Sequence, residues 1–134
     1  MFCRQINKND GTLKRTLIGH SSLIHSVVAL QNGDIARGSQ DFSIKIWNPN
    51  EGTLKRTLNG HTSNVHALTL LKSGDLVCGS LDRTIKIWNP NDGFLKKTLC
   101  GHIDLVNALT TLENGESANG SQDYTIKIWS TRTT

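Results

Sequence analysis

The chain has 134 residues, enough for one ordinary domain. Its hydrophobic share of 36% suffices for a packed core, and its charged share of 19% falls below the roughly 25% usual in soluble domains, so neither points to disorder. The net charge of +4 is modest. The basic residues are spread along the chain as Lys14-Arg15, Lys55-Arg56 and Lys96-Lys97, with single lysines at Lys45, Lys86 and Lys127. That distribution suits a solvated rim better than the single charged face of a dedicated nucleic-acid or anionic-lipid binder. The three cysteines, Cys3, Cys78 and Cys100, have no C-x-x-C spacing, and their odd number argues against a disulfide framework. The first residues lack an apolar signal core, and no apolar run approaches the roughly 20 residues that span a membrane. An intracellular, reducing compartment, the cytoplasm by default, is therefore expected. Asn119-Gly120-Ser121 spells a glycosylation sequon but falls in a predicted strand, and is read as chance.

In chain order, residues 23–30 form an apolar, β-branched-rich run suited to a buried inner strand. Asn32-Gly33-Asp34 is a tight hairpin turn, where glycine supplies positive φ without steric cost. Residues 43–47 alternate polar and apolar, which is the period of a strand. Asn48-Pro49-Asn50-Glu51-Gly52 is a longer turn, since proline removes a ladder donor. Residues 53–58 make a less regular strand of the outer kind. The series then repeats: an inner run at 65–71, a turn at 73–75, an alternating strand at 84–88 and a turn at 89–93. A third copy has its hairpin turn at 114–116 and its alternating strand at 125–129. No segment carries a helical apolar stripe of useful length. Each copy reads as four short antiparallel strands.

The copies share one period. Gly-His recurs at Gly19-His20, Gly60-His61 and Gly101-His102, aspartate at Asp41, Asp82 and Asp123, and tryptophan at Trp47, Trp88 and Trp129, every interval being 41 residues. A period of about 40–45 with strand patterning indicates a propeller blade. The order Gly-His, then Asp, then Ile-Trp, in three copies of equal period over almost the whole chain, resembles the WD-repeat family of β-propellers. The fold implied is all-β, with three blades' worth of four-stranded antiparallel sheets forming an incomplete ring. Residues 1–134 make a single array with repeats at about 12–52, 53–93 and 94–134, and residues 1–11 are the remnant of a preceding blade. In that remnant, residues 4–11 align with 45–52, and Ile6 takes the tryptophan slot. In this family the repeat is staggered against the blade, its first segment being the outer strand of the blade before. Residues 12–18 are accordingly expected to be an outer strand, and the third blade to lack one.

The resemblance assigns His20, Asp41 and Trp47, His61, Asp82 and Trp88, and His102, Asp123 and Trp129 to one buried hydrogen-bonded set per blade. The chemistry agrees, because a buried carboxylate must be paired and an imidazole N–H is a good partner. A His/Asp pair could also serve acid–base catalysis. Three recurrences with no attached nucleophile favour structure, and one histidine per blade is not a zinc cluster. No catalytic residue, metal or cofactor is assigned, and the chain is not expected to be an enzyme. His25 and His66 each follow a Gly-His histidine by five residues, which on a strand puts the two on opposite faces.

Two departures from the family stand out. The serine or threonine usual ten residues before tryptophan is replaced by Arg37, Cys78 and Asn119. Cys78 can substitute weakly and Asn119 can still hydrogen-bond. Arg37 is costly if buried alone, so it is expected to pair with Asp41 or point outward, leaving the first blade less stable. The residue after the turn aspartate, often glycine, is Phe42, Arg83 or Tyr124, whose side chains are expected to project outward. The residue after tryptophan is Asn48, Asn89 or Ser130 where the family has aspartate, a position outside the buried network.

Propellers of this family mostly bind proteins or peptides on one end of the blades. Residue by residue, the resemblance points to Leu23, His25 and Gln40, to Asn64, His66 and Leu81, and to Leu105, Asn107 and Gln122. The mixture is apolar and neutral polar, which suits a peptide or protein better than phosphate. A non-catalytic interaction scaffold is the expected function. The alternatives are a fragment or detached targeting module of a larger assembly, such as a ubiquitin-ligase or kinase complex, and nucleic-acid or anionic-lipid binding through the Lys/Arg rim. Propellers have about four to eight blades, so three do not close a ring. Either the chain is part of a longer propeller, or two chains pair as three plus three blades, each lending residues 12–18 to the other.

Overall fold

The computed structural model describes residues 13, 16–19, 24–101, 106–112, 117–121 and 125–129. The strands are β1 Ile24–Ala29, β2 Ile35–Ser39, β3 Ile44–Asn48, β4 Thr53–Leu58, β5 Val65–Leu70, β6 Leu76–Ser80, β7 Thr84–Trp88, β8 Leu95–Cys100, β9 Val106–Thr111, β10 Ser117–Ser121 and β11 Ile126–Trp129. Among the described residues there is no helix. Three antiparallel sheets form, in the orders β1-β2-β3-β4, β5-β6-β7-β8 and β9-β10-β11. β4 opens the second sequence repeat yet closes the first sheet, so repeat and blade are staggered. The third sheet has three strands among the described residues.

Local chemistry explains the elements. In β3 and β7 the isoleucines alternate inward while Lys45 and Lys86 stay near the surface, each with its ammonium on a threonine hydroxyl of the neighbouring outer strand, Thr57 or Thr98. Gly33 and Gly74 turn the inner hairpins with φ of 92° and 93°, a left-handed conformation that costs glycine little. In the longer turns Asn48 and Asn89 accept backbone N–H groups through their side chains, which occupies the donors that proline cannot continue into a ladder.

The apolar cores lie between blades. Ala36, Ile44, Ile46 and Leu58 of the first sheet pack with Val65, Leu68, Leu76, Cys78 and Trp88 of the second. Leu71, Val77, Ile85, Ile87 and Leu99 of the second pack with Val106, Leu109 and Trp129 of the third. Gly79 permits this approach: a Cβ there would stand 2.7 Å from Cγ1 of Val106.

The outer strands add polar ties. The β3–β4 and β7–β8 pairings slip by one residue at Lys55 and Lys96. A bulge re-aims its extra residue, and these two lysines reach Asp34 at 2.6 Å and Asp75 at 2.7 Å. Arg56 crosses between blades to the carbonyls of Asn91 and Asp92.

Two expectations are corrected. Of residues 12–18, the described ones, Leu13 and residues 16–18, lie in no strand. The carbonyl of Leu17 is instead taken by Arg37, whose guanidinium donates to it at 3.4 and 3.5 Å. Arg37 therefore neither points outward nor uses Asp41 as its partner. It is buried, 4.9 Å from the centroid of the Trp47 ring. A planar guanidinium on an aromatic face loses less on leaving water than one on aliphatic surface, which accounts for this choice.

Candidate functional site

One end of each complete blade is built from the turn after its second strand. In the second blade, Ser80 at the end of β6 accepts from the N–H of Asp82 at 3.1 Å and donates its hydroxyl to the Asn64 carbonyl at 2.8 Å. The N–H of Leu81 donates to the same carbonyl at 2.9 Å. The turn is thereby fastened to the β4–β5 connection. Asp82 then accepts from the N–H and hydroxyl of Thr84 at 2.9 and 2.6 Å, from the N–H of Thr62 at 3.1 Å, and from Nδ1 of His61 at 2.7 Å. Burial alone would raise its pKa. The His61 and Thr84 hydrogen bonds and the His61 charge outweigh that and hold the carboxyl far below the usual carboxylate range. A carboxylate only accepts, so Nδ1 of His61 carries the shared proton.

The network stops at the other side of the ring. Nε2 of His61 and Nε1 of Trp88 are both buried without a partner. Cys78 stands in the same core as Trp88, and its thiol, raised by burial with Lys86 opposing weakly, links neither. The glycine of Gly-His seats the indole: a Cβ at Gly60 would lie 3.1 Å from Cζ2 of Trp88. The first blade repeats the turn. Asp41 bonds the N–H of Ser43 at 2.9 Å and its hydroxyl at 2.5 Å, and its own N–H donates to Ser39 at 3.2 Å. Nε1 of Trp47 is likewise buried without a partner. His20, His102 and Asp123 lie outside the described residues, and Trp129 ends β11.

Of the candidate binding residues, the second blade brings together Asn64, His66 and Leu81, all half-buried. Gln40 occupies the matching turn of the first blade. His25 falls in β1 and Asn107 in β9, while Leu23, Leu105 and Gln122 lie outside the described residues. The β1–β2, β5–β6 and β9–β10 pairings each slip by one residue, at His25, His66 and Asn107 respectively. Every innermost strand thus carries a bulge at its candidate residue.

Sequence reasoning missed the hydroxyls around the turn aspartate. Their signal was present as Ser-x-Asp-x-Ser/Thr at 39–43, 80–84 and 121–125. Phe42 and Arg83, exposed as expected, also hold φ of 72° and 73°. Tyr124 lies outside the described residues. Among those residues no group of histidine, cysteine and carboxylate side chains could hold a metal ion. The carboxylate of Asp82 is saturated and its histidine enclosed, an arrangement that holds a loop in place.

Comparison with known proteins bears on this geometry. The WD40 family profile (WD domain, G-beta repeat) matches residues 11–48, 52–89 and 93–130. This chain belongs to the WD40 repeat family. Its fold superposes on the WD40 β-propeller domain of Doa1 with a TM-score of 0.80 and 29% identity, covering 84% of this chain and 38% of that one. It superposes on U3-55K with a TM-score of 0.81 and 26% identity, covering 86% and 38%. THO complex subunit 6 of Drosophila melanogaster is 36% identical over 44 residues, 33% of this chain and 13% of that protein. The WD40 chain described here therefore spans well under half of each of these relatives. No helix among its described residues is long and apolar enough to cross a membrane.

Proposed function

We propose that this chain is a non-catalytic WD40 scaffold whose blade end, at Asn64, His66 and Leu81 with Gln40 and the bulged positions His25 and Asn107, binds a protein or peptide. The observation that carries this reading is the recurrence of a one-residue bulge at His25, His66 and Asn107. Bulges disrupt a ladder locally and are found where a side chain is re-aimed at a binding site. Here those at His25 and His66 lie beside the turns that Ser39 and Ser80 close. Leu23, Leu105 and Gln122 complete the proposed surface by their places in the repeat.

The compartment proposed is intracellular. Membership in a multi-subunit assembly is proposed alongside, since one relative is named as a subunit of the THO complex. Binding of nucleic acid or anionic lipid through the rim loses support, because Lys55 and Lys96 are neutralised by Asp34 and Asp75, and Arg56 is spent on backbone carbonyls. Pairing of two chains by exchange of residues 12–18 has no strand among the described residues to carry it.

The test is a displayed peptide library panned on the whole chain and on a triple variant, Asn64→Ala, His66→Ala and Leu81→Ala, matched by circular dichroism. Peptides enriched on the first and lost on the second support the reading. An identical set on both overturns it.

A further inference from the structure

The end of the blades away from the turn aspartates holds a cleft of about 260 Å³. It lies between the first two blades, where the β1–β2 hairpin meets the β5–β6 hairpin and the turn from β7 to β8. Both flanking sheets carry four strands, so its walls are complete within this chain. Leu30 and Pro90, both buried, give it apolar lining, and Gln31, Asn32 and Asn91 bring carboxamides. A recess of about 60 Å³ adjoins it, sharing Asn32, Pro90 and Asn91 and reaching Ile46. Two of the amides keep bonding capacity. Gln31 donates through Nε2 to the Lys72 carbonyl at 3.1 Å, and its Oε1 accepts from nothing among the described residues. Asn91 uses its backbone on Arg56 and Asn89, and its side chain bonds none of them. The charges beside the recess are engaged: Asp34 holds Lys55 at 2.6 Å, and Arg56 lies on the carbonyls of Asn91 and Asp92. The repeat does not dictate this neutral lining. One period on, Gln31, Pro90 and Asn91 give way to Lys72, Thr131 and Arg132.

We propose that this cleft is a second binding site, which takes an extended, uncharged segment of a partner protein. One proline or aliphatic side chain of the segment seats on Leu30 and Pro90, and its flanking peptide groups bond Gln31 and Asn91. An apolar floor with a few convergent polar groups is the common build of a ligand site. The volume is below the roughly 300–1,000 Å³ of sites that enclose a drug-sized molecule, and suits one side chain of a longer chain. The polar groups select the same occupant. A peptide group offers an N–H and a C=O, which the free Oε1 of Gln31 and the free carboxamide of Asn91 complement. A phosphate or nucleotide would have to draw Lys55 from Asp34 or Arg56 from its carbonyls, which costs the pairing that those groups already have. The cleft and the Asn64, His66 and Leu81 surface lie at opposite ends of the blades, because the β1–β2 and β2–β3 turns end the same strand on opposite sides. The two sites are therefore independent, and the inference does not rest on binding at the other end.

Asn91 is exposed, so Asn91→Trp fills the cleft from its rim without entering the core. A displayed peptide library is panned on the whole chain carrying Asn64→Ala, His66→Ala and Leu81→Ala, which removes binders of the other end. It is panned in parallel on the same chain with Asn91→Trp added, the two matched by circular dichroism. Peptides that share a proline or aliphatic residue between uncharged neighbours should be enriched on the first and lost on the second. Titrated against the otherwise wild-type chain, the best of them should bind at least about tenfold more weakly to Asn91→Trp. Asn91→Ala leaves the cleft open but removes its free amide, and should weaken binding about fivefold, the worth of one hydrogen bond. The proposal is overturned if no peptide is enriched on the triple variant, or if both chains enrich the same set. A set defined by acidic residues also overturns it, since the cleft would then take anions through Arg56. If the triple variant and the wild-type chain enrich the same peptides, the blade-end reading fails while this one stands.

Discussion

Nδ1 of His61 stands 2.7 Å from the carboxylate of Asp82, while Nε2 of the same ring is buried with nothing to bond. Since Nδ1 carries the shared proton, a neutral ring presents Nε2 as a lone acceptor. Nε1–H of Trp88 is a lone donor in the same blade. A hydroxyl can give a proton to one and accept from the other. Cys78→Ser is nearly isosteric and supplies that hydroxyl. A hydrogen bond that satisfies a buried group contributes about 1 kcal/mol, so a melting temperature higher by a few degrees is expected in a thermal scan. An unchanged or lower value would mean that position 78 does not bridge the two rings.

Asp82 gives the molecule an acid limit. Its folded pKa lies far below its ordinary value, so the unfolded chain binds the proton more readily. The carboxylate's contribution is therefore complete above the ordinary aspartate pKa, near 4, and is lost as pH falls from there toward the folded value. Urea midpoints should be flat from pH 7 to about 5 and decline below 4. Asp82→Asn should lower the midpoint at pH 7, because an amide accepts weakly from His61 and Thr84, and should flatten the decline below pH 4. An unaltered decline in that variant would assign the acid limit to other carboxylates.

Arg37 and Cys78 occupy one position in successive blades, and the contrast marks how far the sequence could be read. The 41-residue period, the turns at Gly33 and Gly74 and the alternation in β3 and β7 follow from local chemistry, so strands and blades were legible. The pairing of His61 with Asp82 was legible through the family resemblance. What Arg37 does was not, because its contacts, Leu17 and Trp47, are brought to it by tertiary packing. The same holds for Arg56, whose acceptors lie in the next blade, and for the bulges at Lys55 and Lys96, which depend on cross-strand register. The hydroxyls of Ser43 and Thr84 were legible in principle, since they recur with the turn aspartate.

Arg37 is expected to weaken the first blade. Burial lowers its pKa, which means that the charged form is disfavoured there, and its Nε has no partner. The long bonds to Leu17 and the contact with Trp47 offset only part of that desolvation. Arg37→Ser removes the charge and places a hydroxyl on the strand paired with that of Trp47, whose Nε1 has no partner. The melting temperature should rise by a few degrees. A fall would show that the Trp47 and Leu17 contacts outweigh the desolvation.

Gly79 tests the packing between the second and third blades. A methyl group there would stand 2.7 Å from Cγ1 of Val106 and 3.5 Å from Cδ1 of Leu109, so one of the blades must shift. Overpacking of this kind costs about 1–3 kcal/mol, and Gly79→Ala should lower the urea midpoint accordingly. Val106→Ala alone should also destabilise, since it empties a buried site. The double variant discriminates between steric and conformational causes. If the clash carries the cost, the alanine at 106 gives the new methyl group room, and the double variant loses less than the two single losses added together. Strict additivity would place the cost of Gly79→Ala in the backbone of β6 instead of in its contact with Val106.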